Sequence, residues 1–220
     1  MNKRNQTKQP SQALVFIQST FKENPVFVLG LGLVPALAVT ATFEAAIGMG
    51  MLIFVTLILN RMFLKLIHRV ILEDIQWFIY IILVATQVVV LQMLVEALVP
   101  NLFLSLGIYI ALITVNGIVY VIDNKHIKRD SFKKLTIDSM KTATSILVSL
   151  MLIGFLREFI GTGMIVLGQT LPLGFDVILF EGFGLSSFAL SVFNEPVGGF
   201  IIVGLLAALF SAKRHKEASE

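Results

Sequence analysis

Within LITVNGIVY (112–120), Thr114, Asn116 and Gly117 put a hydroxyl, an amide and a residue without a side chain inside one of the most apolar stretches of the chain. A buried amide without partners is costly, so something polar is expected to approach it closely. Pro35 lies near the centre of a second apolar stretch, LGLGLVPALAVT (29–40). Proline removes an amide donor and clashes with the preceding turn, so a helix there is kinked or split and its freed carbonyls need partners. The ends of such broken helices can hold an ion or a small solute inside a membrane. The plainer role for Asn116 is an interhelical hydrogen bond, worth about 1 kcal/mol or less, with Gly117 allowing close packing.

Arg157 and Glu158 are adjacent at the end of a later apolar stretch. They are expected to form an ion pair that fixes the helix end, with substrate contact as the alternative. Glu96 lies close enough to a span end to reach water. Gln87, Gln92, Thr86 and Thr56 are read as packing contacts, and so are Gly48 and Gly50. His68, His126 and His215 each sit beside Lys or Arg without metal-ligand spacing. The chain has no cysteine, which removes disulfides, thiolate-held clusters and thiol nucleophiles. No Ser/His/Asp set, catalytic carboxylate pair, metal site or nucleotide loop is visible. A self-contained enzyme is not expected, and no residue is assigned a catalytic role.

The elements that must position these groups are membrane spans. Of 220 residues, 56% are hydrophobic and only 14% charged, beyond what a soluble domain carries. The net charge of +3 does not point to nucleic acid, because the basic residues fall between apolar runs instead of forming a patch. Crossing the hydrocarbon core takes roughly 20 apolar residues. Six stretches qualify or nearly qualify: 26–42, 45–67, 75–99, 102–122, 139–160 and 196–210. The expected fold is therefore an all-α integral membrane protein. A polar tail (1–23) precedes the six-helix domain (24–211), and a basic tail (212–220) follows it. With both tails in the cytoplasm, every Lys and Arg except Arg157 lies on the inner side, as the positive-inside bias requires. The apolar segment 175–193 contains Asp176 and Glu181, and a seventh span would translocate the tail KRHK. It is expected to be re-entrant or interfacial on the outer face. The basic loop 123–141 is placed to meet anionic headgroups or a cytoplasmic partner.

Gly32-Leu33-Val34-Pro35-Ala36-Leu37 and Gly107-Ile108-Tyr109-Ile110-Ala111-Leu112 share Gly, Ala and Leu in the same places. They fall in the first and fourth spans, which cross in opposite directions. This predicts a 3+3 inverted repeat with its first and fourth helices interrupted and meeting near the midplane.

The run NPVFVLGLGLVPALAVT (24–40) resembles the integral membrane subunits of Rnf complexes and of the sodium-pumping NADH:quinone reductase, Nqr. LIHRVILEDIQ (66–76), GIYIALITVNG (107–117), GFLREFIGTG (154–163) and EPVGGFIIVGLLAALF (195–210) fit the same family in the same order. EDI, REFIGTG and PVGGF look more like the RnfE and NqrD branch than the RnfA and NqrE branch. The resemblance implies a membrane subunit of an ion-translocating electron-transport complex in the bacterial inner membrane. It also implies pairing with a homologous subunit of opposite topology, or with a second copy, alongside other redox subunits that could carry flavin.

Family members read GLCP and TNC in the first and fourth spans, and those cysteines, two from each partner, hold a 2Fe-2S cluster. Here the corresponding positions are Val34 and Gly117, and the family's proline in the fourth span is replaced by Ala111. This chain is therefore expected to hold no cofactor and no cluster. Pro35, Thr114, Asn116 and Gly117 remain as candidates for a translocation path. The alternative is a cysteine-free transporter moving an ion or small metabolite between the half-helices.

Overall fold

A computed structural model of the chain describes residues 32–68, 70–71, 75–120, 130–171, 177–181 and 191–218. Expectations about the tail 1–23, the start of the first span, His126 and residues 182–190 lie outside the described residues, as do those about the side chains of Asp176, Glu181 and His215.

The bundle is built on α2 (Phe43–Ile67) and α5 (Phe132–Thr162). Thr42, extended at φ −118°, starts α2 by accepting a hydrogen bond from the Ala45 N–H through Oγ1 at 3.2 Å. Gly163 ends α5 at φ 74°, the left-handed conformation that glycine adopts without strain. Buried residues recur at helical spacing on both helices. Ala45, Met49, Ile53, Leu57 and Leu64 line α2, and Ala143, Ile146, Leu150 and Ile153 line α5. The two run antiparallel and close together, glycine meeting side chain. A Cβ on Gly154 would lie 2.6 Å from Ala46 Cβ, and one on Gly50 would lie 2.5 Å from Leu147 Cδ1.

α3 (Gln76–Leu98) buries one narrow stripe, Gln76, Tyr80, Val84, Gln87 and Val88, while Phe78, Ile82, Val89 and Met93 are exposed. A helix apolar all round suits lipid on its open side. Helices α2, α3 and α5 are long and apolar enough to cross a membrane, and α6 (Pro196–Ala218) adds a shorter apolar stretch, Pro196–Leu209. α5 begins seven residues before the expected span, so its first turns carry Lys133 and Lys134 beyond the apolar part.

The first and fourth expected spans both differ from expectation where they are described. α1 (Leu33–Ala38) has Pro35 in its first turn, where the missing N–H removes no helical hydrogen bond. Gly32, at φ 83°, is its N-cap, so Pro35 begins this helix and does not kink it. In the fourth span, α4 (Pro100–Leu106) gives way to three successive 3-10 turns, Gly107–Tyr109, Ala111–Val115 and Gly117–Tyr120. That span is broken along most of its length, not only at Asn116. Gly107, which aligns with Gly32 in the two similar sequence motifs, also has positive φ, 51°.

The chain after α5 departs from an all-α fold. β1 (Met164–Leu167) and β2 (Val177–Glu181) pair antiparallel, with Met164 opposite Glu181, Leu167 opposite Val177, and a bulge between Ile165 and Val166. Four or five residues rich in Ile, Val and Leu satisfy their backbone by pairing with each other, and so residues 177–181 of the 175–193 segment are strand. One hydrophobic cluster joins Ala36 of α1, Leu57 of α2, Val84 and Val88 of α3, Ile110, Ile113 and Val119 of the broken span, Leu150 of α5 and Ile202 of α6.

Candidate functional site

The broken span satisfies its loose backbone groups locally. Asn116 is extended, at φ −75° and ψ 119°, between two 3-10 turns. Its N–H donates to Ile113 O at 3.2 Å and its carbonyl accepts from the Val119 N–H at 3.1 Å. The Tyr120 hydroxyl reaches back over the break and donates to Thr114 O at 2.6 Å. The Tyr120 ring lies 5.4 Å from that of Trp77 on α3. Asn60 of α2 donates its amide N–H to Val119 O at 3.3 Å. The Asn116 side chain is buried, Thr114 is half-buried and Gly117 is exposed. Residues 111–115 pack on α3 and 117–120 on α2, whereas Pro35 is buried in α1, which packs on α5 and α6. α1 and the broken fourth span thus share a core but take different neighbours. Asn60 was not among the expected site residues, although an amide in LILNR was a visible signal.

Arg157 and Glu158 do not pair with each other. The guanidinium, 1% exposed, gives all its donor nitrogens to neutral acceptors. Nη1 donates to Leu37 O at 2.7 Å and Thr40 Oγ1 at 2.9 Å, Nε to Phe193 O at 3.1 Å, and Nη2 to Asn194 O and Glu195 O, both at 3.1 Å. It therefore holds the C-terminal end of α1 and the residues leading into α6. Helix C-terminal carbonyls carry partial negative charge, which suits a cation. Glu158 takes the opposite kind of group: its Oε2 accepts from the Phe43 N–H at 2.6 Å, at the start of α2, and its Oε1 from the Val166 N–H of β1 at 3.2 Å. Glu44, one residue on, accepts from the N–H groups of Gly168, Thr170 and Leu171 at 2.9, 2.9 and 2.6 Å.

The expected ion pair is thus a two-sided clamp. Cation and anion project from one turn of α5 and grip a helix end and a helix start on either side of the α1–α2 turn. Gly199 makes room for it, since a Cβ there would sit 3.2 Å from Arg157 Nη1. Three separated segments, VPALAVT, GFLREF and EPVGGF, meet at this one guanidinium.

Other polar groups stay local. Thr56 Oγ1 donates to Leu52 O at 2.8 Å and Thr86 Oγ1 to Ile82 O at 2.9 Å. His68 Nδ1 lies 2.6 Å from Lys65 O, and Glu96 is exposed. Among the described residues no cluster of His, Asp or Glu has the make-up of a metal site.

A family model described as Rnf-Nqr subunit, membrane protein, matches residues 12–208. The chain belongs to the Rnf-Nqr family. It is 34% identical over 205 residues to the E-type subunit of the ion-translocating oxidoreductase complex of Methanosarcina acetivorans, covering 93% of this chain and 92% of the relative. It is 30% identical to the E-type subunit of the proton-translocating ferredoxin:NAD(+) oxidoreductase complex of Clostridium ljungdahlii, covering 89% and 86%. With the E-type subunit of the ion-translocating oxidoreductase complex of Shewanella loihica the identity is 32%, covering 87% and 83%.

The resemblance to this family read from the five motifs therefore holds, and so does the leaning toward the RnfE branch. Set against the family's cluster, the residues present do not fit. Val34, on α1, is aliphatic; Gly117 has no side chain, and the chain has no cysteine. Neither position supplies a ligand to iron.

Proposed function

We propose that this Rnf-Nqr protein is the E-type membrane subunit of an Rnf-like ion-translocating oxidoreductase complex, and that it works without an iron-sulfur cluster of its own. The observation that carries the role is the match along about nine-tenths of both chains to relatives named as the E-type subunits of such complexes. The fold proposed for the whole chain is the six-helix 3+3 inverted repeat. Its support is the pair of positive-φ glycines, Gly32 and Gly107, each heading a helical stretch in one half.

In this reading the exposed side of the broken span, Ile108, Val115 and Gly117, faces a homologous subunit of opposite topology. The clamp at Arg157 fixes α1, the other interrupted segment, from behind. The remaining redox subunits carry the electron-transfer groups, flavin among them. The protein is placed in the inner membrane with both termini in the cytoplasm.

Purification of the tagged chain from its host in mild detergent tests this. Other redox subunits are expected to co-purify, and iron and flavin are expected to follow those subunits when the complex is dissociated. A lone homodimer would overturn the complex, and stoichiometric iron on the separated chain would overturn the cluster-free assignment. The broken backbone at 107–120 also supports a second reading, a transporter for an ion or small metabolite. Uptake into proteoliposomes containing the chain alone, abolished by Asn116→Leu, would favour it.

A further inference from the structure

Halfway along α3, on the stripe that packs against α2 and the 111–115 turn, lies Gln87. Its side chain is 8% exposed, and neither its amide nitrogen nor its amide oxygen has a hydrogen-bond partner among the described residues. Asn60, 0% exposed, uses its amide nitrogen on Val119 O, while its oxygen has no partner among the described residues. α3 packs against both α2 and the 111–115 turn, and Val84, Val88, Leu57, Ile113 and Val119 belong to one buried cluster. Buried polar atoms in native proteins are satisfied with few exceptions, and a primary amide at mid-bilayer depth has no lipid partner to turn to.

We infer that the Gln87 and Asn60 amides form a binding site for ordered water beside the broken span. The donor and acceptor inventory decides between water and a cation. Gln87 presents a donor as well as an acceptor, and Asn60 presents a second acceptor. A water molecule accepts from the one and donates to the other two. A bare cation would bind only the oxygens and leave the Gln87 N–H unanswered, with no buried carboxylate among the described residues to balance it in this part of the core. Among the described residues the buried carboxylates, Glu44 and Glu158, both stand at the other end of the bundle, engaged with backbone N–H groups. The site makes the interior next to Asn116 wet at the depth where the neighbouring backbone has left the helix. This goes beyond the subunit assignment and does not depend on which complex the chain joins.

Hydroxyl-radical footprinting by X-ray pulses, on the native complex in lipid nanodiscs, tests the inference, because radicals form at bound water and mark its neighbours. In the wild type Leu57, Val84, Val88 and Ile113 are expected to be labelled well above other equally buried residues. Gln87→Leu and Gln87→Met are expected to reduce that labelling several-fold and to lower the thermal midpoint by a few degrees. Background labelling in the wild type would overturn the site. So would a midpoint that rises in both variants, since a lone amide replaced by an apolar side chain stabilises. A wild-type midpoint that rises in sodium chloride but not in choline chloride of equal ionic strength, and fails to do so in Gln87→Leu, would overturn water in favour of a cation.

Discussion

At the scale of single residues, Arg157 and Glu158 are neighbours in sequence whose partners lie far away, at residues 37 to 43, 166 and 193 to 195. An ion pair and a clamp predict different behaviour on exchange. If the two charges served each other, exchanging them would restore most of the lost stability. In the clamp, a carboxylate at 157 would face five oxygen acceptors and an arginine at 158 would face N–H groups. The double variant Arg157→Glu/Glu158→Arg is therefore expected to be no more stable than either single exchange, measured by thermal unfolding in detergent. Arg157→Gln leaves most of those carbonyls without their donor and is expected to cost roughly 3–5 kcal/mol, as for removal of one member of a buried charged network. Glu158→Gln keeps one acceptor oxygen for two N–H groups, so a loss on the order of 1–3 kcal/mol is expected. Tyr120→Phe, which removes only the bond to Thr114 O, is expected to cost about 1 kcal/mol.

At the scale of elements, the antiparallel contact of α2 with α5 depends on close approach at glycine. A methyl at position 154 would press on Ala46 Cβ at 2.6 Å, with Phe43 Cα and Thr42 O each at 3.3 Å behind it. Gly154→Ala is expected to destabilise by roughly 1–3 kcal/mol through overpacking. Ala46→Gly in the same chain should restore part of that, because it removes the nearest clash and leaves the other two. An unfolding series of the two single variants and the double variant checks this, and strict additivity would show that the contact is not tight. The spans of α2, α3 and α5 were legible in the sequence because hydropathy alone marks a lipid-spanning helix, and their ends fall within a few residues of expectation except where polar turns extend α5. The break in the fourth span was legible in place but not in extent, and Pro35 was legible in place but not in role. A proline looks the same whether it kinks a helix or begins one, and the choice rests on Gly32 adopting positive φ. The β1–β2 pair was not legible, since MIVL and VILFE are too short to carry a period and become strands only by finding each other. The partners of Arg157 could not be read either, because nearly all of them are backbone carbonyls, which every residue has.

At the scale of the whole molecule, the helix directions sort the charges. α2 runs away from the clamp toward Lys65, α5 runs toward it from Lys133 and Lys134, and α6 leaves it toward Lys213, Arg214 and Lys216. The basic residues of these three helices thus collect at one end of the bundle, and Arg157, the exception, is enclosed by carbonyls at the other with the hairpin beside it. The positive-inside bias then predicts that the Lys-bearing end is cytoplasmic and the hairpin external. A chain without cysteine offers a clean test, because a single introduced thiol has no background. Gln169→Cys, at an exposed position beyond β1, is expected to react with a membrane-impermeant maleimide in intact spheroplasts. Lys216→Cys is expected to react only after the inner membrane is permeabilised. The reverse pattern would put the clamp and hairpin on the cytoplasmic side and remove the charge argument for the topology. Labelling of both positions without permeabilisation would place residues 169 and 216 on the same side, and α6 would then not cross the membrane on its own.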